Sequence, residues 1–183
     1  MAGSTVIEDL ELGMAAELTR AYDEWDIYTF AAVTGDLNPA PVDQAFAEQT
    51  LFQGRFAHGM LTASLISAVI GTKLPGPGSI YLTQSLKFLR PVRVGDTVTA
   101  RVAVIEIMRE KNLVTLQTTC ANHNEERLLE GTAVVMPPRV KVAEASEGRV
   151  SPETGGALAR PRLRLGRMTE PPPRKKGSSS GHA

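Results

Sequence analysis

Eleven consecutive residues, Met60 to Ile70 (MLTASLISAVI), carry apolar or small side chains on nearly every face of a helix. A helix of that kind is stable only where other elements cover most of its sides. It falls well short of the ~20 residues a membrane span needs, so the cover has to come from the protein itself. The following sequence supplies it. Beyond the turn cluster LPGPG (Leu74–Gly78) the period changes from helical to strand-like, in the runs SIYLTQSLKFLRP, DTVTARVAVIEIMRE, LVTLQTTCANH and RLLEGTAVVMP. In the second run Val98, Ala100, Val102 and Val104 fall on one face of a strand. With the earlier AELTRAYD this makes about five strands, four of them consecutive, which predicts a largely antiparallel meander. The simplest burial wraps that sheet around the apolar helix. The expected class is α+β, one helix inside a curved antiparallel sheet.

Upstream, YDEWDIYTFAAVTGD places Trp25, Ile27, Tyr28, Ala31 and Ala32 at helical spacing, with Asp23 as N-cap and Gly35 as the stop. VDQAFAEQTLF reads as a second short helix that begins near Asp43. Between them lies GDLNPAPVD, a segment stiffened by Pro39 and Pro41, which push Asn38 and Ala40 toward extended geometry. Its acid, Asp36, is a candidate base. The bland alternative is an Asx turn in which Asp36 and Asn38 only bond local backbone. At FAHGM the apolar helix begins. The first amides of a helix have no intrahelical partner and sit at its positive end. At Gly59 a ligand carbonyl can come close, or the glycine can serve tight packing alone. His58 reads first as a partly buried histidine bonded to backbone near the helix start, ahead of a proton-transfer role. Ser64, one turn on, reads as a pocket residue or as a hydroxyl bonded back to its own helix.

Totals remove other classes. Lys and Arg balance Asp and Glu at 20 each, so no general attraction to nucleic acid is expected. No membrane span is expected, nor a cofactor. No metal-ligand spacing, phosphate loop or nucleophile elbow is present. The single cysteine, Cys120, reads as a small core residue, and one cysteine cannot form an internal disulfide. The opening MAGSTVIEDLELG lacks the basic-then-apolar order of a secretion signal, so the expected location is cytoplasmic. The chain divides into a body, residues 1–137, and a tail, 138–183. The tail is rich in Pro, Gly and Ser, has no aromatic residue and holds ten Lys/Arg against four Glu, a net +6. Such a composition is expected to stay disordered.

The ordered motifs FAAVTGDLNPAPVDQAFAEQT and FAHGMLTASLISAVIGTKLPGPGSIYLTQSLKFLRPVRVGDTV resemble the MaoC-like dehydratases, and within them the (R)-specific enoyl-CoA hydratases. The likeness covers roughly residues 10–137. It implies a hotdog fold, a homodimer with sites at the subunit interface, and an acyl-CoA or acyl-carrier-protein thioester as substrate. It further implies that Asp36 and a histidine hold the attacking water, that the Gly59 amide holds the thioester carbonyl, and that Asn38, His58 and Ser64 line the substrate. The family pattern is Asp, any residue, Asn, Pro, any residue, His. Here it reads Asp36, Leu37, Asn38, Pro39, Ala40, Pro41, so proline stands where the histidine belongs. Proline neither gives nor takes a proton. A non-catalytic thioester-binding or scaffold subunit is therefore the alternative, with a thioesterase as a third, since hotdog folds also host hydrolysis.

Overall fold

In a computed structural model, residues 3–142 are described, all within the unit Met1–Glu147. Beyond residue 142 the expectation of a disordered tail concerns residues outside the described ones. The body begins with a 3-10 turn, Ile7–Asp9, followed by β1, Ala15–Ala21, and α1, Glu24–Thr34. Two short helices follow, α2, Pro39–Val42, and α3, Gln44–Ala47, and then the long helix α4, Gly59–Thr72. Four strands close the body: β2, Ile80–Phe88; β3, Thr97–Met108; β4, Leu113–Asn122; β5, Arg127–Met136.

α4 is the apolar run seen in the sequence. At fourteen residues it would be marginal in water, because an isolated helix gains too little per residue to offset nucleation. Packing holds it. Leu65, Ile66, Val69 and Ile70 are buried against a sheet face that includes Val98, Ala100, Val102 and Val104, as the alternation in β3 predicts. The sheet wraps this one helix, which is the hotdog arrangement.

The strand order differs from a simple meander. It runs β1-β3-β4-β5-β2, with every pair antiparallel. β3, β4 and β5 do form a meander. β2 does not sit beside β3, because β1 occupies that edge, so β2 pairs with β5 and becomes the opposite edge. β2 therefore has one side of its backbone unpaired, and Ile80, Tyr81, Leu82 and Phe88 on it are exposed.

A second difference lies in the proline segment. Asn38, at φ −50° and ψ 124°, lies just outside the helix as its N-cap, but Ala40 belongs to the helical turn α2. Proline at the first turn of a helix costs nothing, because those N–H groups are free in any case, and this outweighs the pre-proline bias at Ala40.

Candidate active site

Asp36 owes its place to the end of α1. Asp23 opens that helix with a capping box, and Gly35 closes it in the left-handed region at φ 75°, its N–H donating to the Ala31 carbonyl at 2.9 Å. The next residues are tied by short polar bonds. The Asp36 N–H donates to Thr34 Oγ1 at 3.2 Å, and the Asn38 N–H donates to Asp36 Oδ1 at 3.2 Å. Asn38 in turn caps α2, accepting from the Ala40 N–H at 3.1 Å. The local turn is therefore present. It uses only one carboxylate oxygen of Asp36, and the side chain remains half exposed. Pro41 is buried in α2.

His58 stands at the N-cap of α4 but makes no side-chain cap bond. Its ring is 5 % exposed and turned toward the acid loop, with Nε2 3.1 Å from the Asp36 carbonyl oxygen and 4.0 Å from Asp36 Oδ2. The Phe30 ring packs against it at 5.0 Å between centroids. Gly59 follows, and its lack of a side chain has a visible cause: a Cβ there would stand 3.0 Å from Phe88 Cε1. The Phe88 ring closes one side of the helix start.

Two clefts flank that start. One, of about 560 Å³, is lined by Asp36, Met60, Ala63, Ser64, Tyr81 and Gln84, with Thr34, Ser67, Phe30 and Leu86 around them. The other, of about 250 Å³, holds Gly59, Thr62, Arg90 and the aromatic rings of Phe52, Phe56 and Phe88. In the larger cleft an apolar floor meets a few polar groups, the usual composition of a small-molecule site. Tyr81 donates its hydroxyl to Gln84 Oε1, and burial raises its phenol above the ordinary range. Ser64 lines the cleft while donating to the Leu61 carbonyl at 2.6 Å.

The structure thus brings Asp36 and Ser64 to one cleft, sets His58 behind the acid loop, and puts Gly59 in the second cleft rather than in that of Asp36. Asn38 lines neither. Ser67, Tyr81 and Gln84 were not singled out in the sequence. Ser67 had a legible signal, a second serine three residues after Ser64 on the same face of an apolar helix. Tyr81 and Gln84 had none, since their place depends on β2 lying at the sheet edge.

Comparison with known proteins agrees with this fold. The family model "MaoC like domain" matches residues 8–126. An (R)-specific enoyl-CoA hydratase of Rhodospirillum rubrum is 52% identical over 131 residues, 72% of this chain and 90% of the relative. A 3-hydroxybutyryl-CoA dehydratase of Methylorubrum extorquens is 44% identical over 137 residues, 75% of this chain and 87% of the relative. Among solved structures, the unliganded R-hydratase PhaJ1 of Pseudomonas aeruginosa superposes with TM-score 0.73 at 43% identity, covering 77% of this chain and 90% of its own.

Proposed function

The chain belongs to the MaoC-like domain family, and from that premise we propose that it is an (R)-specific enoyl-thioester hydratase, which adds water reversibly to a trans-2-enoyl thioester. The observation that carries this reading is Asp36 itself. Of its two carboxylate oxygens, Oδ1 is engaged by the Asn38 N–H while Oδ2 accepts no hydrogen bond among the described residues and lies 4.0 Å from His58 Nε2, and the half-exposed residue lines the cleft beside the start of α4.

The step balances with one acid. Asp36 takes a proton from water as the water oxygen bonds to C3 of the enoyl group. The electron pair of the double bond moves to the thioester carbonyl oxygen, where the Gly59 amide and the positive end of α4 stabilise the developing charge. The protonated Asp36 then returns its proton to C2, and the carbonyl reforms. A single carboxyl group can act first as base and then as acid. Pro41 leaves it without the histidine of the family pattern, and a positioned acid–base group is worth about 10²–10⁴ in rate. Turnover is accordingly slower than in a site with both groups.

Two finer points belong to the same reading. The substrate handle is coenzyme A or an acyl carrier protein. The assembly is a homodimer in the cytoplasm. The unpaired, apolar β2 edge supports the dimer. Among the described residues no helix is long and apolar enough to cross a membrane. Pro41 also favours one competing reading, a subunit that binds the thioester without converting it. Incubating the native chain with crotonyl-CoA and resolving the product on a chiral phase separates the two. Formation of (R)-3-hydroxybutyryl-CoA supports the hydratase, and binding without product removes it.

A further inference from the structure

The Asp36 loop is held to itself by local bonds: N–H to Thr34 Oγ1, Oδ1 to the Asn38 N–H, and the Leu37 N–H to the Gly35 carbonyl at 3.0 Å. Bonds of that kind keep the shape of a loop but do not fix its place, because they move with it. Among the described residues, one hydrogen bond joins Asp36 to a distant part of the chain, the 3.1 Å contact from His58 Nε2 to the Asp36 carbonyl, spanning 22 residues.

We infer that His58 is a positioning residue for this reaction: its Nε2–H anchors the Asp36 carbonyl to the start of α4 and so aims Oδ2 into the cleft. The inference rests on the hydratase reading above. Four features of the site carry it. A carbonyl oxygen only accepts, so Nε2 is the nitrogen that bears the hydrogen. His58 Nδ1 is buried and has no hydrogen-bond partner among the described residues, so the ring offers no path for a proton through its far side. His58 makes no cap bond to its own helix, at a position where serine, threonine, asparagine or aspartate would serve that helix better. Finally, Phe30 packs on the ring and also lines the cleft, so the ring is held between the cleft wall and the acid loop without itself lining the cleft. In a chain with Pro41 in the second acid–base position, the side chain that bonds Asp36 locally, Thr34, sits on the adjacent helix end and moves with the loop. Among the described residues, the task of orienting Asp36 falls to His58, the one distant residue that hydrogen-bonds it.

Two variants separate positioning from proton transfer. In His58→Gln the amide nitrogen stands near the place of Nε2 and still donates to the carbonyl, but the group cannot titrate. In His58→Leu the bulk remains and the donor is gone. With crotonyl-CoA as substrate, His58→Gln is expected to keep kcat within about threefold of the native chain, while His58→Leu loses about tenfold or more with KM little changed. A His58→Gln chain as slow as His58→Leu would make His58 a proton carrier and overturn the inference, as would a fully active His58→Leu. A second measurement stands apart from turnover. Nitrogen-15 spectra of histidine-labelled native protein, with the His58 signals assigned by their absence from His58→Gln, report which ring nitrogen is protonated. The expected state is Nε2–H, and an Nδ1–H tautomer overturns the inference. Should the native chain fail to hydrate crotonyl-CoA, the hydratase reading falls alone. The tautomer then decides whether His58 anchors the loop.

Discussion

Replacing Asp36 by asparagine isolates its chemistry from its place in the fold. Asparagine has the same shape, and its Oδ1 can keep the 3.2 Å bond from the Asn38 N–H that shapes the turn. Its amide nitrogen takes the position of Oδ2, 4.0 Å from His58 Nε2, where it cannot accept a proton from water. Because the side chain is half exposed, stability should change by no more than about 0.5 kcal/mol. Loss of the acid–base group should lower kcat by about 10²–10⁴, or roughly 3–5 kcal/mol of barrier. Initial rates of enoyl-thioester loss, with thermal melts on the same preparation, measure both. A rate within about threefold of native would remove Asp36 from the chemistry. A melting point lowered by more than about 4 °C would show that the loop itself had failed.

The other expectations follow from neighbouring features. Gly59→Ala places a Cβ 3.0 Å from Phe88 Cε1. Such crowding costs about 1–3 kcal/mol, and the low end is expected because the half-exposed Phe88 can swing away. Activity should fall further than the melt suggests, as the added methyl obstructs approach to the amide. Sedimentation of the native chain should give twice 19.7 kDa, and Leu82→Lys on the exposed β2 edge should shift it toward the monomer. Burial pushes the Cys120 thiol from 9.0 up to about 12. The unfolded chain then loses that proton at lower pH than the folded one, so stability is full below pH 9 and declines as pH rises from about 9 to 12. Tyr22, whose phenol burial also raises, adds to the decline above its ordinary 10.0. Denaturant midpoints measured across that range test the sign.

How much of this was legible beforehand depends on whether the signal was local. The run Met60–Ile70 and the β3 alternation announced a buried helix under a sheet, because burial on all sides and burial on one face leave different periods. Asp23 and Gly35 marked the ends of α1 for equally local reasons. Strand order was not legible: β2 and β3 are consecutive, and only the competition of β1 for the same edge sends β2 to the far side. The acid loop lay between these cases. Asp36 was recognisable from its motif, and so was the local turn around it. The contact of His58 with the Asp36 carbonyl was not, since nothing in the sequence says where the start of α4 lies relative to the end of α1. Ala40 shows a bias overruled, extended by its place before Pro41 yet helical because α2 begins at Pro39.

The central claim is that Asp36, without a histidine at position 41, turns over an enoyl thioester. It is tested most directly by measuring hydration of crotonyl-CoA by the native chain and by Pro41→His side by side. The account predicts (R)-3-hydroxybutyryl-CoA from both, with the histidine variant faster by about 10² or more. A native chain that binds crotonyl-CoA without converting it, while Pro41→His converts it, would contradict the account and leave a thioester-binding subunit in its place.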